Sequence, residues 1–515
     1  MPPQPALLPA PLPSSLPAPT SANDTLYLQI AEGIAQPIRA GTLARGERIP
    51  SVRALARQQG VSLSTVVQAY RTLEDARLIE ARPRSGYFVA ARAPRLPEPE
   101  PSLPPPDSRP VDVSSLGEQV MRLATDPRYI SFGAVCPSGE LFAQDRVRRA
   151  VSRAAQRHRA SLCRYPIGPG HELLRRAIAR HALGLGCQLD ARDILVTNGC
   201  QEAISLCLRA VTQPGDVVAL ESPTYFGFLE ILESMHLRAL EIPTHPRTGL
   251  SLDALQLAFD TQPVKAVLAV PTLSNPLGAS MPLAERRRLA QMVAERGIPL
   301  IEDVLYNDLA EQDDRRRAVK AFDTSGHVMI CGSFSKTVAP GIRLGWVEAG
   351  RWSAQVRRLK AVHSGGHTEL LELAMADLLT QPGHGSAYRQ LRTTIAARVD
   401  EARGLIAESF PRGTRVTDPA GGFILWIELP GGLDSTALFE ACLAERICIA
   451  PGTMKTPIME SVGAEMLAKF EAAVPFPKRL GKPSEYGALV VHALVNPYLN
   501  GEVIRLDGAQ RFGPR

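Results

Sequence analysis

The spacing of apolar residues changes character along the 515-residue chain. Leu26, Ile30, Ile34 and Ile38 recur at helical spacing, which predicts an amphipathic helix ending near Gly41. After a loop from Thr42 to Pro50, Ser51 stands at an N-cap position before Val52–Gln59, and Gly60 ends that short helix with Val61 as a hydrophobic plug. A second helix begins in Ser62-Leu63-Ser64-Thr65 and runs through Val66, Val67, Ala69, Tyr70 and Leu73. Leu78–Arg82 and Gly86–Ala90 then read as two strands around Pro83-Arg84-Ser85. From about Ile130 the pattern becomes short apolar runs alternating with helical segments. The runs are 193–197, 217–220, 266–270, 299–301 and 328–330, and this alternation predicts an α/β domain with a largely parallel sheet buried on both faces.

Two stretches fit neither pattern. Residues 1–20 are Pro, Ala, Leu and Ser in low-complexity order, so a disordered tail is expected there. Residues 91–112 carry Pro94, Pro97, Pro99, Pro101 and Pro104-Pro105-Pro106, the composition of an extended polyproline II linker rather than a packed element. The expected organisation is a tail (1–20), a small helical domain (21–90), a linker (91–112) and an α/β domain (113–452), followed by a distinct tail (453–515).

A chain of this length exceeds what one core supports, so several domains are expected. The formal charge of +6 is too mild to establish a nucleic-acid partner, and the local distribution of arginines has to decide. The eight cysteines show no Cys-x-x-Cys pair and no metal-ligand spacing, which favours reduced thiols and no metal site. With no basic n-region at the N-terminus and no apolar run of membrane-spanning length, the expected location is cytoplasmic.

Two short helices joined by a glycine turn form a helix-turn-helix, and the following hairpin makes a wing. In that arrangement the second helix enters the DNA major groove and exposes Ser62, Ser64, Thr65, Gln68 and Arg71, while Arg48, Arg53 and Arg84 lie near phosphates and the cap residue Ser51 belongs to the same face. A protein-docking module would present the same elements. The run Gly46-Glu47-Arg48-Ile49-Pro50-Ser51-Val52-Arg53, with Gly60-Val61-Ser62, Ala69-Tyr70 and Gly86-Tyr87-Phe88-Val89, resembles the winged helix-turn-helix of GntR-type transcription regulators, which implies double-stranded DNA as partner.

The candidate chemistry of the α/β region gathers around Ser333-Phe334-Ser335-Lys336, just after the run Val328-Met329-Ile330. A lysine delivered to a pocket by a strand end can form a Schiff base once burial depresses its pKa. The hydroxyls of Ser333 and Ser335 and the guanidinium of Arg343 suit a phosphate. Alone, Ser-x-x-Lys usually marks an exposed lysine. Further candidates fall at strand ends, where ligands of such sheets bind. Asp303 would be costly to bury without a cation, and the protonated nitrogen of pyridoxal phosphate would supply one. Tyr306 and Asn275 could donate to the ring's phenolate oxygen, and Tyr225 could stack on the ring. The turn through Gly199 and Cys200 leads into a helix N-terminus that offers N–H groups to the phosphate. A helix cap, a core aromatic and a plain turn are the alternative roles for Gly199, Tyr225 and Asn275.

In order and spacing, these segments resemble the fold type I aminotransferases from about residue 130 to about 452, which implies a large mostly parallel-sheet domain with a smaller C-terminal domain. The resemblance makes Lys336 the catalytic Schiff-base lysine and Asp303 the pyridine partner. It places Asn275 and Tyr306 on the phenolate oxygen and Tyr225 on the ring, with Gly199, Cys200, Ser333 and Arg343 around the phosphate. Tyr165 would reach the phosphate of a neighbouring subunit, which implies a homodimer. A GntR-like winged helix joined to such a domain resembles the MocR/GabR-type regulators, and implies a transcription regulator that senses an amino compound through aldimine chemistry at Lys336; an active aminotransferase with an accessory DNA-binding domain is the alternative. Beyond Met454, Pro475–Tyr486 and Asn500–Ala509 resemble the C-terminus of short-chain dehydrogenases, closest to type 2 3-hydroxyacyl-CoA dehydrogenase. Such a tail would displace the part of an aminotransferase that supplies the carboxylate-binding arginine, so weak or absent turnover is expected.

Overall fold

The computed structural model describes residues 26–452 apart from residues 40–41, 45, 76–77, 83–84, 91–95, 112–115, 134–135 and 432–433. The expected tails at 1–20 and 453–515, and Arg84, lie outside the described residues. The chain divides into two compact units, one ending at Arg95 and the other starting at Leu96.

The first unit packs α1 (Leu26–Arg39), α2 (Val52–Gln59) and α3 (Leu63–Asp75) against β1 (Ile79–Arg82) and β2 (Gly86–Val89). Ile30, Ile34, Leu55, Val66, Tyr70 and Leu73 form its core. Ser51 caps α2 by accepting the Ala54 N–H at 3.2 Å, and Gly60 closes it in the left-handed region at φ 64°. The expected loop 42–50 does more than connect. Ile49 is drawn into the core, and residues 46–49 run beside β2, with Gly46 N–H on the Val89 carbonyl (2.9 Å) and Ile49 N–H on the Tyr87 carbonyl (3.0 Å). The wing therefore has a third extended segment on the edge of its hairpin.

In the second unit the strands are β3 (Arg109–Pro110), β4 (Ile130–Ser131), β5 (Ile194–Thr197), β6 (Val217–Ser222), β7 (Arg238–His245), β8 (Gly249–Leu250), β9 (Val264–Ala269), β10 (Leu300–Asp303), β11 (Val328–Ser333), β12 (Gly345–Glu348), β13 (Arg415–Val416), β14 (Ile427–Glu428) and β15 (Ile447–Cys448). A mixed, mostly parallel sheet runs in the order β3-β7-β6-β9-β10-β11-β12-β5, with β8 on β7. The run β7-β6-β9-β10-β11 is parallel, and β12 is antiparallel to both its neighbours. The expected runs all become strands of this sheet. The helix α4 (Leu116–Ala124) packs through Val120 on Cys448 of the small β4–β15 pair, while helices on both faces bury the central strands, among them α5 (Gln144–Arg157), α6 (Glu172–Ala182) and α7 (Cys200–Val211). Alternation along β10 gives its two acids different surroundings. Glu302 accepts the N–H groups of Val319 (2.7 Å) and Lys320 (2.9 Å), while Asp303 faces α7 through the Cys200 thiol.

The Pro-rich stretch departs from expectation. From residue 96 it is docked on the second unit instead of standing free as a linker. Its extended backbone leaves N–H and C=O groups unpaired, and a sheet edge can use them. Pro97 accepts from Val416 N–H at 2.9 Å, Ser102 bonds Thr244 and the Ser222 carbonyl, and β3 pairs with β7. Charges fix it further: Glu98 pairs with Arg247, Glu100 with Arg415 at 2.7 Å, and Arg109 with buried Glu241.

Candidate functional site

The sheet brings the expected residues to one edge because adjacent parallel strands end together. β10 ends at Asp303 and its neighbour β11 at Ser333, three residues before Lys336. β5 ends at Thr197 and leads through Gly199 into α7. Asp303 is 4 % exposed, and its Oδ1 accepts from the Leu305 N–H (2.8 Å) and the Cys200 thiol (3.3 Å), both neutral donors. Burial pushes the carboxyl up to about 6, against the opposing effects of those hydrogen bonds and of the Lys336 charge. Burial likewise lowers the Lys336 amine from its ordinary value, opposed by Cys136; Arg343 adds to the lowering.

Tyr306 is buried beside Asp303, and desolvation raises its phenol while a hydrogen bond with Asn275 opposes the rise. Asn275 is itself buried. Tyr225 is half-buried, pushed up to about 12 by burial and by the fields of Glu230 and Asp303, and packs edge-on against Phe228 with ring centroids 5.4 Å apart. These residues share one electrostatic neighbourhood.

Gly199 sits at the N-cap of α7 with φ 84°, and a Cβ there would lie 2.6 Å from the Arg343 guanidinium. No side chain caps this helix, so the first N–H groups of α7 and Arg343 together form an anion cradle. Close packing maintains it: a Cβ on Gly345 would stand 2.4 Å from the Gly199 carbonyl carbon. Ser333 is tied into the loop that carries Lys336. Its hydroxyl donates to the Leu344 carbonyl (2.9 Å) and accepts from the Ser335 N–H (3.1 Å) and the Ser335 hydroxyl (2.9 Å), so both serine protons are used in shaping the loop. Tyr165 is 83 % exposed.

The donor set fits pyridoxal phosphate. It combines an anion cradle, a buried carboxylate whose hydrogen-bond donors are neutral, a tyrosine–asparagine pair and an amine with a depressed pKa. The Cys200 thiol on Asp303 and the buried acid Glu221 escape a reading of the sequence. Glu221 accepts the Val270 N–H at 3.0 Å and is pushed up to about 8 by burial, with Asp303 adding to the rise. A glutamate inside the apolar run of β6 is the signal that points to it.

In the first unit Arg48, Ser51, Arg53, Ser62, Ser64, Gln68 and Arg71 are exposed and Thr65 is half-buried. Ser62 Oγ accepts the Thr65 N–H at 3.1 Å and lies 2.8 Å from Ser64 Oγ, so it caps the start of α3 as well as facing solvent. The Arg48 side chain packs beside Gly86 of the wing.

Residues 138–460 match the family described as aminotransferase class I and II, and residues 26–89 match the bacterial regulatory proteins of the gntR family. The chain is 36 % identical over 432 residues to the "Uncharacterized HTH-type transcriptional regulator YjiR" of Escherichia coli (strain K12), covering 84 % of this chain and 92 % of that protein. The chain belongs to the HTH-type regulators that join a GntR domain to an aminotransferase class I and II domain. Another relative in this family is the "Probable rhizopine catabolism regulatory protein MocR" of Rhizobium meliloti, 26 % identical and covering 84 % of this chain and 87 % of that one. Among solved structures, LysN, the alpha-aminoadipate aminotransferase of Thermus thermophilus complexed with N-(5'-phosphopyridoxyl)-L-leucine, matches with a TM-score of 0.60 and 25 % identity, covering 66 % of this chain and 85 % of that one.

Proposed function

We propose that this chain is a pyridoxal-phosphate-dependent, DNA-binding transcription regulator of the MocR type, whose second unit senses a small amino compound at Lys336. The observation that carries the reading is the pairing of Asp303, buried and bonded by neutral donors, with Lys336 beyond the end of the adjacent strand. Bound there, pyridoxal phosphate supplies an aldehyde carbon for amines and a ring that accepts electron density. Asp303 holds a proton on the ring nitrogen. Asn275 and Tyr306 donate to the ring oxygen, and Tyr225 covers the ring face. The N–H groups at the start of α7, with Arg343, bind the phosphate. Lys336 provides the amine, and its depressed pKa increases the neutral, nucleophilic fraction.

In the first unit, Gln68 and Arg71 read base edges with Ser62, Ser64 and Thr65, while Arg48, Arg53 and Arg84 bind phosphates and Ser51 orients α2. The exposure of Tyr165 supports a homodimer in which it reaches a neighbouring subunit's phosphate. An amino compound changes DNA affinity only if it binds two arrangements of the protein unequally.

Purified full chain titrated with pyridoxal phosphate is expected to gain a visible absorbance band that Lys336→Ala abolishes completely. The same samples, run in gel shifts on DNA upstream of the chain's own gene with an amino-acid panel, are expected to change mobility with at least one amine. No band and no cofactor-dependent shift would refute the reading; keto-acid-dependent turnover without any DNA shift would favour an aminotransferase.

A further inference from the structure

The second unit holds a cavity of about 330 Å³ between the start of α5, the start of the helix His384–Ser409 and the loop that follows Lys336. None of the expected cofactor residues lines it. Thr337 and Val338 form one wall, Leu141, Phe142 and Leu391 supply apolar surface, Arg146 supplies the cation, and His384, lowered to about 4 by burial and by His181 and Arg146, lies beside it as a neutral imidazole. Arg146 donates one N–H to the Gly383 carbonyl at 2.8 Å, which fixes its direction and leaves the rest of its fork for another acceptor.

Three further features favour an anion here. Ala143 and Gly383 are the N-caps of α5 and of His384–Ser409 and neither contributes a side-chain cap; the Gln144, Arg146 and His384 N–H groups go to the Phe142, Ala143 and Gln381 carbonyls, so it is the positive ends of two helix dipoles that converge on the space. His384 Nε2 is buried without a hydrogen-bond partner. Arg146 also lines an adjoining open depression with Arg149 and Arg153; Arg153 is paired with Asp377 at 2.6 Å, so Arg149 adds the positive potential at the mouth. Glu140 is the acidic residue of the lining and limits how much negative charge the ligand can carry.

We infer that this cavity is a second small-molecule site, separate from the Lys336 pocket, that takes a monocarboxylic acid with a compact apolar body, its carboxylate on Arg146 and His384 and its body against Phe142 and Leu391. The site adjoins the cofactor loop: Thr337 follows Lys336 directly, and the Tyr388 hydroxyl meets the Thr337 hydroxyl at 3.5 Å. An occupant therefore presses on the segment that carries the lysine. Binding itself does not rest on the proposed cofactor chemistry, and only the coupling to Lys336 does.

Phenylacetate, with neutral phenylacetamide as control, is the probe for calorimetric titration of the full chain. The acid is expected to bind and the amide to bind at least about tenfold more weakly, the effect of losing one charge-assisted pair. Arg146→Gln is expected to weaken the acid at least about tenfold, as is the cavity-filling variant Ala387→Phe, with circular dichroism to check that each folds. Lys336→Ala is expected to leave binding unchanged. No phenylacetate binding, equal binding of acid and amide, or binding lost in Lys336→Ala but kept in Arg146→Gln would overturn the inference. Failure of the cofactor reading would show separately, as an absent absorbance band with phenylacetate binding intact.

Discussion

The two units carry their candidate chemistry in opposite ways. In the first, the described residues that would face DNA are exposed, with Thr65 half-buried, and their neighbours hold the scaffold: Leu55, Val66 and Tyr70 fill the core. In the second, Asp303, Tyr306, Asn275 and Cys200 are themselves buried, so every polar atom there has to be compensated inside the protein. An exposed interface can be retuned one residue at a time at little cost in stability. A buried site couples chemistry to folding, because changing a partner alters the ionisation of the whole cluster.

The sharpest way to break this contrast is Asp303. Its carboxyl has an ordinary value of 3.8 and burial raises it to about 6 in the folded chain without cofactor, so folding takes up a proton between those values. Stability without cofactor is therefore expected to fall as pH rises from about 4 to about 6, by up to about 3 kcal/mol. Asp303→Asn removes that slope; chemical denaturation of the two proteins across this window checks it, and parallel slopes would contradict the assignment. Next in size is Arg71→Ala, expected to weaken DNA binding about tenfold while leaving the cofactor absorbance untouched, as base-edge contacts of this kind predict. Smallest is Ser51→Ala, which removes the α2 cap and is expected to cost the first unit about 1 kcal/mol. Thermal unfolding that moves the second unit's transition as well would show that the two units do not respond independently.

The legible parts of the sequence are those set by local pattern. Lys336, Asp303 and Gly199 stand at strand ends marked by apolar runs, and Ser51 and Gly60 bracket α2 by their cap chemistry. The parts that escape depend on partners distant in the chain. Docking of residues 96–110 is made by Arg247 and Arg415, which nothing near Glu98 or Glu100 announces. The Cys200 thiol finds Asp303 only after the sheet has set α7 against β10. The residue type of Ser333 allows a phosphate contact, and only the return of the loop at Leu344 takes up its proton.

Adjacent Glu302 and Asp303 also bear on how this family tolerates insertion and deletion. Because strand side chains alternate, sliding β10 by a single residue would send the clamp of Val319 and Lys320 into the pocket and turn the pocket's acid toward the back of the sheet. The pair thus acts as a reading frame for the strand. Length changes between the helix Leu283–Arg296 and Leu300 should be absorbed outside β10, since a one-residue slip would cost both the scaffold and the site.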